Sequence, residues 1–324
     1  MMPTISVIIP TRGRPKQVCE AVASALDQRL PKGESVEVIV VQDGPEPETT
    51  QALSAIQSER LRVRSLPRRR GHATARNEGI NQAQGEWCAF LDDDDTWMPE
   101  KLAKQLEVAK QLVDDGVLHP VVGCVVLAVT EQREMLWPSR APVPGEEIGS
   151  YLYARRGWRS VLSGHTLLQT SMVMLPTALA KSVSFQGGMR RHADPDWFLR
   201  LQLAEGARFV IPMEEGPLAR WNLGGVHRVS ASGDWRYSLV WARRHARELG
   251  PRAVAGFLSG PAAHIASAKP NGSARRRAFK VLLHEMFEVG EPGIWDLLAI
   301  AVKYTRVQSW RPRSGLGRSR GVGS

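Results

Sequence analysis

The chain has 324 residues, 43% of them hydrophobic, with a formal net charge of +10. That length and apolar content mark a globular chain with a proper core. Cys19, Cys88 and Cys124 lie scattered in apolar stretches without metal-type spacing, so buried free thiols in a reducing compartment are expected rather than a disulfide framework or a thiolate metal site.

The opening MMPTISVIIPTRGRP has no basic region before its short apolar run and reaches Pro10 too early for a signal peptide or a membrane span, so a cytoplasmic location is expected. Apolar, β-branched runs predict strands at 4–10, 36–41, 61–66 and 86–91. Helical spacing predicts helices between them at 15–28, 47–57 and 73–84, with Pro15 and Pro47 in first-turn positions. After the acidic run Asp92 to Asp95, Pro99 opens a helix whose Leu102, Leu106, Ala109 and Val113 form one apolar face. The next stretch is less regular: a buried strand at 121–129, a loop at 138–149, a strand at 166–176, a helix at 193–206 and short strands at 207–212 and 216–222. From about 233 onward the pattern is helical, with Gly/Pro breaks near 250, 270 and 291.

Strands alternating with helices predict an α/β domain with a mainly parallel sheet, whose ligands gather where strand ends lead into helices. PTRGRP, QDGPEPE, PRRRGHATARN and DDDDTWMP then share one rim, which sets an acidic cluster against arginines. Adjacent ionised carboxylates repel unless a cation sits among them or some stay protonated, and metal binding is the obvious relief. On an extended segment Asp92 and Asp94 share one side, and an oxygen-only donor pair suits Mg²⁺ or Mn²⁺. A solvated turn with Asp95 near the N-terminus of the next helix is the plainer alternative. FLDDDDT also satisfies Asp-x-Asp-x-Thr, the pattern of a haloacid-dehalogenase-type phosphatase with Asp92 as nucleophile, although three strands precede it and no later lysine with paired aspartates completes the set. The arginine-rich stretches 62–70, 242–249, 274–277 and 303–320 admit nucleic acid, anionic lipid or phosphorylated substrates as partners, but no nucleic-acid module surrounds them, so a basic nucleic-acid-binding protein is the non-enzymatic alternative.

Four blocks, SVIIPTRGRPKQVCEAVASALDQ, VEVIVVQDGPEPET, GHATARNEGINQAQGEWCAFLDDDDTWMPEKL and DPDWFLRLQLAEGARFV, in this order and spacing resemble the family 2 glycosyltransferases of the GT-A fold. The likeness is close from Ile5 to about Leu112 and weaker to about Ser230. It implies a GT-A catalytic domain at 1–232, followed by a helical region at 233–324 with a basic tail. It implies that Pro10, Thr11 and Arg12 border the base of a nucleotide-diphosphate sugar and that Arg14 reaches its phosphates. Arg12 and Gly13 stand where the family often has tyrosine and asparagine. Asp43 matches the aspartate that hydrogen-bonds the nucleobase, with Gln42 where a second aspartate is common, and Asp43-Gly44-Pro45 is also a good turn.

By the same resemblance Arg76 pairs with the acidic cluster or the diphosphate, Asp94 and Asp92 hold Mn²⁺ or Mg²⁺, Asp93 lies near the ribose and Asp95 gives local support. Asp194 inherits the role of catalytic base, with Asp196 as its rival, Ala193 in place of the usual glutamate and His192 as a compensating group; Asp194 capping a helix at Pro195 is the structural alternative. His227, in GGVHRVS, is a metal or phosphate contact in the loop expected to cover the donor. Trp197 and Trp221 form an acceptor platform or belong to the core. The implied reaction is inverting transfer to a hydroxyl of a glycan or lipid-linked acceptor, in cell-surface polysaccharide synthesis at the inner membrane face. GIWDLLAIAVKYTRVQSWRPR combines an apolar stretch too short to span a bilayer with Lys303, Arg306, Arg311 and Arg313, and Trp295 and Trp310 flank it. It suits an interfacial helix drawn to anionic lipid, or a helix packed on the catalytic domain ahead of a basic tail.

Overall fold

The run ISVIIPT is buried at every position and forms the central strand of the molecule, as expected of a parallel strand covered on both faces. The computed structural model describes residues 2–130, 133–162, 166–222, 234–269 and 271–309. Its first part is β1 (Ile5–Thr11), α1 (Pro15–Leu26), β2 (Val36–Gln42), α2 (Pro47–Ser54), β3 (Leu61–Ser65), α3 (His72–Gln82) and β4 (Trp87–Phe90). There follow β5 (Thr96–Trp97), α4 (Lys101–Asp114), β6 (His119–Val122), β7 (Val125–Val129), β8 (Glu134–Trp137), α5 (Ile148–Tyr153) and α6 (Arg159–Leu162). Next come β9 (Met174–Pro176), α7 (Thr177–Ser182), α8 (Ala193–Gln202), β10 (Ala207–Val210) and β11 (Pro217–Asn222). The last described part is helical: α9 (Trp235–Arg244), α10 (Ala246–Leu249), α11 (Pro251–Phe257), α12 (Ala263–Ser267), α13 (Gly272–Glu288) and α14 (Ile294–Ser309), with a π-turn at Leu258–Ala262.

A seven-stranded sheet runs in the order β10-β6-β9-β4-β1-β2-β3, and a four-stranded sheet in the order β5-β11-β7-β8. In the large sheet only β9 is antiparallel to its neighbours. Its register is fixed by a buried polar knot: Ser6 Oγ donates to Glu37 Oε1 at 2.6 Å and accepts from Gly85 N at 2.8 Å, while Gln84 N and Arg62 complete the carboxylate. The edge strand β3 carries Arg62 and Arg64, charges that discourage pairing with another chain.

The strand expected at 121–129 is two strands in two sheets. The chain breaks at Gly123, whose N–H reaches Val210 O at 2.8 Å and where a Cβ would lie 3.0 Å from Ile211. The helix expected to 206 ends at Gln202, and the strand expected from 166 is a short 3₁₀ turn (Thr170–Met172) before β9. On α4 the inward face uses Leu112 instead of Val113, which is exposed. It also buries Lys101, whose Nζ donates to Gln105 Oε1 at 2.6 Å and lies 3.9 Å from the Trp97 ring centroid. Burial holds that ammonium down to about 8.

The C-terminal helices join the same hydrophobic core as the sheets. The contact is close because glycines face backbone: Gly149 on α5 meets Leu249, and a Cβ at Gly256 on α11 would fall 1.8 Å from the Tyr153 carbonyl oxygen. Backbone cannot yield there as a flexible side chain could. Gly256→Ala is therefore expected to cost about 3 kcal/mol and lower the melting temperature by roughly 5 °C, read by thermal unfolding with circular dichroism.

Candidate active site

The loops after β1, β2 and β3 and the acidic run after β4 meet at one rim of the large sheet. Pro10 and Thr11 are buried at the end of β1, and the loop that follows is tied to the acidic run by Asp93. Its carboxylate accepts from Thr11 Oγ1 at 2.8 Å and from Arg12 N at 3.3 Å, and it pairs with Arg14 Nη1 at 2.7 Å. Burial raises the Asp93 carboxyl in spite of Arg14. Asp43 performs the same service for the next two loops. Its carboxylate accepts from the backbone N–H groups of Arg70 (2.6 Å) and Gly71 (2.9 Å), and its carbonyl accepts from Arg12 Nη1 at 2.8 Å.

The acidic run is not an extended segment. Asp95 N donates to Asp92 O at 3.1 Å, closing a turn that spreads the four side chains. Asp93 and Asp95 are buried, whereas the side chains of Asp92 and Asp94 are 33% and 38% exposed and are the two left facing solvent. Asp92 and Asp94 thus share the solvent side for a different reason from strand alternation. Each has one oxygen paired with an arginine, Asp92 with Arg76 Nη2 at 2.6 Å and Asp94 with Arg14 Nη1 at 2.8 Å. Asn222 at the end of β11 closes the turn from the second sheet, donating Nδ2 to Asp94 O at 2.9 Å and its N–H to Asp95 Oδ1 at 3.4 Å.

Arg76, on α3, is the centre of the arrangement. Its side chain is only 4% exposed and bridges Asp92 and Asp194, the second at 3.2 Å, while its guanidinium carbon lies 5.3 Å from the Phe185 ring centroid. Burial opposes the guanidinium charge, and the two carboxylates outweigh it. Asp194 accepts on its other oxygen from Thr170 N at 3.2 Å, which fixes its plane and leaves lone pairs on both oxygens.

Asp196 points elsewhere. Its oxygens take Arg200 at 2.9 Å and His245 Nε2, at the end of α9, at 3.2 Å. Burial pulls its carboxyl up, but the hydrogen bonds from His245 and Arg200 prevail and hold it below the usual range. His192 has a left-handed backbone (φ 63°), rare for a residue with a side chain. Its Nε2 lies 2.9 Å from Ser238 Oγ, and its ring sits about 5 Å from those of Trp241 and Phe257, so it faces the C-terminal helices and not the carboxylate of Asp194. Trp197 is wholly buried, stacked 4.1 Å from Phe185 with its Nε1 on Val183 O, so it is a core residue and not an acceptor platform. Trp221 is half-buried on β11, 5.8 Å from the ring of Trp137. His227 lies outside the described residues.

His72, the first residue of α3, was missed by sequence reasoning. It lies within electrostatic reach of Arg76, Asp194, Asp92 and Asp43; burial and Arg76 lower its pKa while the three carboxylates oppose them. The one signal pointing to it was its place directly after Gly71, where the third rim loop enters a helix.

Among the described residues no group of three or more His, Cys, Asp or Glu side chains is placed to hold a metal. The Asp92 and Asp94 pair still fits Mg²⁺ or Mn²⁺, since these ions keep waters and complete their shell with substrate phosphate. Burial, and then Asp92 and Asp94, raise the Asp95 carboxyl beside them well above the ordinary carboxylate range.

Residues 6–173 match the model of the family described as Glycosyl transferase family 2. The chain is 37% identical over 108 residues to the succinoglycan biosynthesis protein ExoO of Rhizobium meliloti, covering 33% of this chain and 30% of that protein. It is 39% identical over 107 residues to the putative teichuronic acid biosynthesis glycosyltransferase TuaG of Bacillus subtilis (32% of this chain, 41% of the other). It is 28% identical over 174 residues to the amylovoran biosynthesis glycosyltransferase AmsB of Erwinia amylovora (52% and 53%). The chain thus spans about half the length of these relatives or less. Among solved structures, S. aureus TarS 1-349 in complex with UDP-GlcNAc superposes with a TM-score of 0.64 at 18% identity, covering 94% of this chain and 90% of that one. The mannosyltransferase PcManGT from Pyrobaculum calidifontis, in complex with GDP-Man and Mn²⁺, superposes with a TM-score of 0.51 at 18% identity, covering 96% and 77%. At that identity the likeness concerns the fold.

The geometry around His192 sets a pH dependence. Burial, then Arg191, lowers its pKa to about 3, so the folded state holds it neutral while the unfolded chain takes up a proton below about 6.5. The stabilisation from this group is therefore full above pH ~6.5 and lost as pH falls towards 3, with a slope of at most about 1.4 kcal/mol per unit. Thermal unfolding between pH ~7 and ~4.5 should show that slope, and His192→Asn, which tolerates the left-handed backbone, should flatten it.

Proposed function

The chain belongs to glycosyl transferase family 2 and has the GT-A fold, and from that premise we propose that it moves a sugar from a nucleotide-diphosphate donor to an acceptor hydroxyl with inversion at the anomeric carbon. The observation that carries the reading is Arg76, which joins Asp92 of the acidic turn to Asp194 from a segment a hundred residues on. We assign residues 1–232 to the catalytic unit and 233–324 to a helical region that braces it.

In this reading the first loop (Pro10, Thr11, Arg12) and Asp43 line the base and ribose side of the donor pocket, with Arg14 and the exposed arginines Arg68 to Arg70 around the diphosphate. Asp93 acts there through the loop it anchors. Asp92 and Asp94 hold Mn²⁺ or Mg²⁺, which would supply positive charge to the diphosphate leaving group. Asp194 accepts the proton of the incoming hydroxyl as that oxygen attacks the anomeric carbon in line with the departing diphosphate. Arg76 and Thr170 N fix the plane of that carboxylate, so the lone pair that takes the proton is already aimed. The pairing of Asp196 with Arg200 and His245 supports Asp194 over Asp196 in this role.

For the acceptor we infer a glycan or lipid-linked intermediate of cell-surface polysaccharide synthesis, supported by relatives named for succinoglycan, teichuronic acid and amylovoran biosynthesis. No helix among the described residues is long and apolar enough to cross a membrane. A cytoplasmic enzyme working at the inner membrane face agrees with this reading. No observation favours a phosphatase centred on Asp92 or a nucleic-acid-binding role.

Thermal-shift measurements with a panel of nucleotide diphosphates, with and without Mn²⁺, should show metal-dependent stabilisation by one nucleotide. Asp194→Asn should lower transfer by about 10²–10⁴-fold and keep that stabilisation. Asp196→Asn should instead lower the melting temperature and retain transfer. Full transfer by the Asp194 variant would refute the assignment of the base.

A further inference from the structure

We propose that the outer faces of α13 and α14 form a docking surface for an anionic lipid bilayer. On α13, Arg276, Lys280, Leu283 and Phe287 recur at three- or four-residue spacing and are all exposed, so they make one stripe along the helix. The neighbouring face is already committed to the core through Ala278, Phe279, Leu282 and Met286. The apolar end of the stripe adds exposed hydrophobic surface beside that committed face, with Phe287 59% and Leu283 39% exposed. On α14 the same holds, with Ala299 and Ile300 buried while Ile294 and Leu298 are 62% and 43% exposed. The short turn 289–293 joins the two helices and sets Phe287 and Ile294 on either side of it. α6 packs on α14, and Trp158, just before α6, is exposed as well.

Charge selects the partner. The cations Arg276, Arg277 and Lys280 precede the apolar end of α13, and after Asp296 the sequence carries Lys303, Arg306, Arg311, Arg313, Arg318 and Arg320 with no acidic residue. Glu285 is turned inward on Arg243, which leaves Glu288 and Glu291 as the exposed acids beside the turn. Apolar side chains beside a cationic stripe match acyl chains under anionic headgroups. A second copy of this chain would bring the same positive charge against it. The surface differs from the one sequence patterning suggested: Trp295 is half-buried, Trp310 lies outside the described residues, and the exposed apolar groups include two from α13. It deepens the proposed function by giving a lipid-linked acceptor a reason to meet this enzyme, but it does not depend on the assignment of the base.

The test is co-sedimentation of the full chain with vesicles of phosphatidylcholine alone or mixed with phosphatidylglycerol, which reads membrane binding without any transfer. Binding is expected to the mixed vesicles and to weaken with salt. Phe287→Ser combined with Ile294→Ser should weaken it roughly tenfold, and Lys280→Glu about fivefold or more, with unchanged melting temperatures since these side chains are exposed. The proposal is overturned by absence of binding, by equal binding to uncharged vesicles, or by variants that bind as the parent does, which would assign the attraction to the tail alone. It is also overturned if the parent forms a dimer in sedimentation velocity that the double variant abolishes, because the face would then be an interface between copies.

Discussion

The site depends on one buried cation. A guanidinium removed from water is costly unless fully paired, and Arg76 is held by Asp92, by Asp194 and against the face of Phe185. Among the described residues its Nε has no hydrogen-bond partner, so the pairing is directional: two N–H groups reach two carboxylates about a hundred residues apart in the chain. Helix α3 makes this possible. It packs against β1 and β2, and its stem carries Arg76 beneath the rim, where a loop arginine would remain in solvent. Removing Arg76 would take from Asp92 and Asp194 the cation they share, a loss that the turn alone has no means to absorb.

The second constraint comes from the C-terminal helices. The segment leading into α8 enters with a left-handed His192, a conformation that needs outside support in a residue with a side chain. That support is the hydroxyl of Ser238 and the rings of Trp241 and Phe257. One turn into α8, Asp196 reaches His245 on the same side. Asp194 lies between these two anchors, so its position is set from behind by α9 and from in front by Arg76. The helical region after 233 therefore touches the site through geometry, although none of its described side chains is paired with the acidic turn.

Much of the first half of the chain was legible because its signals are local. Buried β-branched runs gave the four leading strands within a residue or two, and the rim loops followed from parallel topology. What local pattern does not carry is the choice of partner. Asp194 and Asp196 stand two apart in ADPD, and what separates them is that one meets Arg76 and the other His245, both tertiary events. For Trp197 the sequence left platform and core open, and it is the stacking on Phe185, from a separate stretch, that places it in the core. Gly123 splits what reads as one apolar strand because Ile211, nearly ninety residues on, leaves no room for a side chain. Lys101 is invisible to any rule that reads lysine as surface, since its burial rests on Gln105 and Trp97.

The four aspartates divide by burial rather than by alternation. Asp93 and Asp95 are inside the turn and hold it, one to the first loop and one to the second sheet through Asn222; Asp92 and Asp94 are left facing the cleft. This division sets Asp92 against Arg76 and Asp94 against Arg14, and each arginine also holds a second carboxylate. Neither arginine can move without giving up an existing partner. The proposed reaction brings to this rim a species that is positive where it meets Asp92 and Asp94 and negative where it meets the arginines of the neighbouring loops. A divalent cation carried in with a diphosphate satisfies both requirements at once. In the proposed reaction, donor affinity and metal affinity at this rim are thus two sides of one electrostatic balance.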